Sequence, residues 1–83
     1  IMTDAILQSY REVEQAMERF TLMLQEQVEH LQRTEPPGAD KLVRMTHGYK
    51  AMRDSAMIYL SYARYIAHGM PTSDEMVQDE IQG

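Results

Sequence analysis

The chain has no cysteine and no tryptophan, one phenylalanine, and only four glycines and three prolines among its 83 residues. Without cysteine there is no disulfide framework and no thiolate metal site, which fits a reducing compartment and makes the cytoplasm the expected location. A long apolar run is missing too. The longest nearly apolar stretch covers about twelve residues and carries Arg64, against the ~20 that a membrane-spanning helix needs, so no membrane is expected. No basic-then-apolar leader opens the sequence; Met2 is read as the natural start, with Ile1 a remnant ahead of it. Positive charge is in deficit, eight Lys and Arg against thirteen Asp and Glu, for a formal net charge of −5. That is the wrong sign for a nucleic-acid binder that neutralises phosphates. The length allows one small domain, with little wall for an enclosed pocket of roughly 300–1,000 Å³, so an enzyme is not expected.

What is present is helical pattern. From Thr3 to Arg33 there is neither Gly nor Pro, and Glu, Gln, Leu, Met and Arg dominate, all good helix formers. Apolar residues recur at Ile6, Tyr10, Val13, Met17, Phe20 and Leu24, alternating steps of four and three. That spacing is the seam of an amphipathic, coiled-coil-like helix. Val28 and Leu31 continue it after a one-residue slip, because Gln27 occupies the strict heptad position. Thr3 or Asp4 is placed to cap the start. A helix over 3–33 would be about 45 Å long at 1.5 Å per residue.

Residues 34–40 read as a loop. Pro36-Pro37 cannot continue the hydrogen-bond ladder, Gly38 admits a positive φ, and Asp40 is the expected N-cap of a second helix. That helix runs over 41–68 and is closed by Gly69 and Pro71. Its seam is Leu42, Met45, Tyr49, Met52, Ala56, Tyr59, Ala63 and Ile66, again in steps of three and four. Gly48, inside it, is expected to mark a close approach of the two helices. The fold is therefore all-α, an antiparallel two-helix hairpin over 3–69. In the acidic segment 70–83, Thr72-Ser73-Asp74-Glu75 has capping-box spacing with Met76, Val77 and Ile81 behind it, so a short third helix and a tail are both open.

Charge divides between the helices. From Asp4 to Arg33 six acids face three bases; from Lys41 to His68 five bases face Asp54. The acidic helix steers the basic one into a hairpin, although each exposed pair is worth only ~0–1 kcal/mol. Lys41, Arg44, Lys50 and Arg53 read as a solvated stripe that pairs with the first helix; an RNA-binding stripe is the reading this displaces. His30, His47 and His68 lack the Glu-x-x-His spacing of a carboxylate-bridged metal site, since position 27 is Gln, so neither metal nor cofactor is expected. No Ser/His/Asp set or Gly-rich phosphate loop suggests a reaction.

The apolar content exceeds what a hairpin needs. Ala56 to Ala67 is apolar at ten of twelve positions, whereas a seam uses about three in seven. With Ala56, Tyr59, Ala63 and Ile66 on the seam, Met57, Ile58, Leu60, Tyr62 and Tyr65 remain as the candidate partner interface, and Leu22 and Met23 show the same excess on the first helix. Eight methionines and five tyrosines suit a half-wet surface that takes other helices. Either another protein or a second copy, forming a four-helix bundle, is needed to cover this surplus.

The turn Gly38-Ala39-Asp40-Lys41 and the stretch Lys50-Ala51-Met52-Arg53-Asp54-Ser55-Ala56-Met57-Ile58-Tyr59-Leu60-Ser61-Tyr62-Ala63 resemble the small co-chaperones of type III secretion needle subunits, the YscE-like family. The resemblance covers about a third of the chain. It implies a helical hairpin that pairs with a tetratricopeptide-like co-chaperone and keeps a needle subunit soluble in the bacterial cytoplasm before export. The alternative is a homodimeric four-helix bundle with a structural or regulatory role.

Overall fold

The computed structural model describes residues 2–72 and 74. It is an all-α hairpin in which α1, Met2–Thr34, and α2, Asp40–Ala67, lie side by side. There is no strand among the described residues. Ser73 and residues 75–83, on which the alternatives of third helix or tail turn, lie outside them. At 33 residues α1 would be about 50 Å long, which accounts for the 52 Å longest dimension of the molecule.

The turn between the helices is local chemistry. The Ala39 N–H donates to the Pro36 carbonyl at 3.0 Å, and Gly38 between them has φ +80°. Proline second and a left-handed glycine third make a type II β-turn. Asp40 is not the N-cap that was expected. Ala39 holds that position without a side-chain cap, and its carbonyl accepts from the Val43 N–H at 3.0 Å. Asp40 lies inside the first turn, where its charge faces the helix dipole and pairs with Arg44 at 2.9 Å. Likewise α1 already begins at Met2, so Asp4 belongs to its first turn rather than to a cap. At the far end Gly69 (φ +85°) donates to the Ile66 carbonyl and Met70 to that of Tyr65. These two bonds form a Schellman motif, with glycine where the chain must turn left-handed.

Both helices have a central row of apolar side chains at seven-residue spacing. Tyr10, Met17, Leu24 and Leu31 form it on α1, and Leu42, Tyr49, Ala56 and Ala63 on α2; all are buried or half-buried. Each row has two flanks, and the helices lean onto one of them. On α1 the inner flank is Leu7, Glu14, Thr21 and Val28; on α2 it is Thr46, Leu60 and Ala67. The other flank carries Phe20, Met52 and Tyr59, which were expected on the seam and are exposed, while Val13 and Met45 beside them stay half-buried. Ala67, not Ile66, closes the end. Val28 therefore follows Thr21 in register, and the slip expected at Gln27 does not occur.

Polar pairing explains the choice of flank. Tyr10 donates from its hydroxyl to Glu14 Oε2 at 2.7 Å, and Arg64 reaches across from α2 to both, Nε to the Tyr10 hydroxyl at 3.0 Å and Nη2 to Glu14 at 3.2 Å. Thr46 donates to the Leu42 carbonyl at 2.8 Å. With their polar atoms satisfied, Glu14 and Thr46 take inner positions that hydrophobicity alone would deny them. Arg64 and Glu14 form an interhelical ion pair; Arg44 and Arg53 pair within α2 with Asp40 and Asp54, not with α1 as expected. Gly48 is exposed, and an added Cβ there would meet nothing within 4 Å, so it marks no close approach.

Candidate interaction surface

The buried set is thin. Tyr10, Val28, Leu31 and Ala67 are buried, and among the described residues no large side chain is sealed completely from solvent. Against this, thirteen large hydrophobic residues are exposed among the described residues. Most of them fall on two surfaces.

The first is the side of α2 turned away from α1. Met57, Ile58, Tyr62 and Tyr65 line one shallow surface with Ser61. Met57 and Tyr62 are each 65% exposed and Ile58 73%. Tyr62 and Tyr65 face one another with ring centroids 5.9 Å apart. Four of the five residues expected to form a partner interface are thus brought together. Leu60 is the exception. It is half-buried on the inner flank, in a groove with Met17, Glu18, Leu22, Gln25 and Arg53. Its place follows from the register, since Leu60 is four residues from Ala56 and three from Ala63, both on the central row.

The second surface is the outer flank of the hairpin. Phe20 of α1 and Met52, Ser55 and Tyr59 of α2 line a groove floored by Met17, Thr21 and Ala56. Ile6 and Val13 extend it along α1 at seven-residue steps from Phe20, and Ile66 extends it along α2 from Tyr59. Neighbouring positions one helical turn away are Ser9, Ala16 and Met23 on α1 and Gly48 and Tyr62 on α2. None of these residues is charged. Sequence reasoning placed Phe20, Met52 and Tyr59 inside; the structure leaves all three exposed on this flank.

Charge gathers on the opposite flank, where Glu18 and Arg53 border the groove containing Leu60. There the hydrogen bond from Tyr10, and secondarily that from Arg64, hold the Glu14 carboxyl below its ordinary range; Tyr10, and then Glu14, hold the Arg64 guanidinium above its own. Arg53 stacks on the Tyr49 ring, 5.4 Å from its centroid. No group of three His, Asp or Glu suited to a metal ion occurs among the described residues. Nor is any helix among them long and apolar enough to cross a membrane. No protein-family model, curated protein or solved structure matches the chain.

Proposed function

We propose that the protein is a non-enzymatic interaction module of the cytoplasm, a co-chaperone whose second helix is covered by helices of another protein. The observation that carries this reading is the far side of α2, where Met57, Ile58, Tyr62 and Tyr65 stand in solvent opposite a seam already occupied by α1. The C-terminal part of α2, Ala56 to Ala67, is apolar around most of its circumference, and such a segment belongs inside a bundle. One neighbour is α1; the others must come from outside the hairpin. Tyrosine and methionine at the centre of the patch are the side chains that carry helix-in-groove binding. The resemblance to YscE-like co-chaperones supplies the partner class, a tetratricopeptide-like co-chaperone together with a needle subunit. A stacked helical repeat of that kind offers a concave apolar surface to such a helix.

The test is co-production with a tetratricopeptide-like chaperone and its needle subunit, followed by size-exclusion chromatography. All three chains are expected in one species, and Ile58→Glu is expected to release this protein from it while circular dichroism stays helical. A complex that forms equally well with Ile58→Glu and with Tyr62→Glu would overturn the assignment.

A further inference from the structure

We propose that Met57 is an oxidation site through which peroxides switch the far side of α2 from an apolar face to a polar one. The chain carries eight methionines and no cysteine, so its thioethers are the sulfur atoms that meet an oxidant first. Burial ranks them. Met17 and Met45 are half-buried, whereas Met23, Met52, Met57 and Met70 are exposed, Met57 the most of the four. Its position gives that exposure a consequence. Met57 lines the shallow surface with Ile58, Tyr62 and Tyr65, and it also borders the groove that holds Leu22 and Leu60.

The step is a two-electron oxygen transfer. A lone pair of the Met57 sulfur attacks one oxygen of hydrogen peroxide, and an S–O bond forms as the O–O bond breaks. The proton on the transferred oxygen passes to the departing hydroxide, giving water; the thioether is oxidised and the peroxide reduced. A flexible apolar tip becomes a strongly polar one. The hairpin tolerates the product. Arg53 and Ser61 lie one helical turn before and after Met57 and line the same two surfaces, so each supplies a hydrogen-bond donor to a sulfoxide oxygen there. The penalty falls instead on any contact that covers Met57, which would bury that oxygen away from water. This last consequence rests on the proposed function; the reactivity and the change of surface do not. A protein covering this face is expected to bind the oxidised chain about 10–100-fold more weakly, and to shield the sulfur while bound.

The test uses the full chain and no partner. Peptide mapping by mass spectrometry during exposure to dilute hydrogen peroxide is expected to show Met57 modified several times faster than Met17 and Met45. Fluorescence of the hydrophobic dye anilinonaphthalene sulfonate is expected to fall over the same interval while circular dichroism stays helical. Met57→Leu keeps the apolar bulk without the sulfur, and most of that fall should be lost in it. Met57→Gln should show the low signal before any oxidant is added. Modification of Met57 no faster than that of Met17 and Met45 overturns the inference. So does an equal fall of fluorescence in Met57→Leu, or a loss of helicity that keeps pace with modification. An untreated chain that fails to join the tetratricopeptide-like chaperone would count against the proposed function alone.

Discussion

Arg64 and Tyr10, fifty-four residues apart in sequence, meet in a hydrogen bond of 3.0 Å that fixes how the two helices are registered. The ring of Tyr10 is buried, its edge set against His68 with centroids 6.5 Å apart, and its hydroxyl is shared between Arg64 and Glu14. Tyr10→Phe keeps the ring and removes the hydroxyl. It is expected to cost about 1 kcal/mol, read as a fall in Tm of about 4–8 °C. In that background Arg64→Met should cost less than it does in the wild type, because the shared bond has already gone.

The same cluster makes stability depend on pH. Glu14 has a folded pKa held below its unfolded value, first by the Tyr10 hydroxyl and then by Arg64. A depressed carboxyl contributes stability that is fully present above its unfolded pKa, near 4.5, and is lost as the pH falls through the lower folded value. Thermal melts of the wild type and Glu14→Gln are expected to differ most at neutral pH. The two should converge as the solution is acidified below 4.5 and through the lowered folded pKa.

Gly48 is a helix-interior glycine with open space around it. Gly48→Ala is expected to stabilise the helix by about 0.5–1 kcal/mol, since alanine gives up less backbone freedom on folding and meets no obstacle. A chemical denaturation midpoint shifted upward with unchanged slope is the measurement.

The register of the seam is testable by two truncations. Leu31, 3% exposed, should cost about 2–5 kcal/mol as Leu31→Ala, enough to unfold a hairpin with so small a core. Phe20→Ala removes more atoms, yet Phe20 is 54% exposed, and at a concentration low enough for monomers its cost should stay below about 1 kcal/mol. Circular dichroism of the two variants distinguishes this register from one with Phe20 inside.

Much of the hairpin was legible in the residues. Pro36-Pro37-Gly38 marked the turn, the runs free of proline marked the helices, and the central rows Tyr10–Leu31 and Leu42–Ala63 followed from seven-residue spacing. The flank was not legible. Ile6, Val13 and Phe20 are more apolar than Leu7, Glu14 and Thr21, so a reading by hydrophobicity turns the first row inward. That reading has no access to Arg64, which satisfies Glu14 only if the helices rotate the other way. Leu60 was misplaced for the same reason, by one position, while Met57, Ile58, Tyr62 and Tyr65 lie far enough from α1 that the rotation leaves them outside. Asp40 failed as a cap because the type II turn, set by Pro37 and Gly38, already delivers Ala39 to that position.

A hairpin without a dry interior has a short life alone. Among the described residues only Tyr10, Val28, Leu31 and Ala67 are withdrawn from water, so a partner of the kind proposed would supply much of its folding free energy. Cellular proteases, which act on opened chains, would therefore remove unclaimed molecules and spare engaged ones. Supply would track demand, with no dedicated regulator beyond the thinness of its own core.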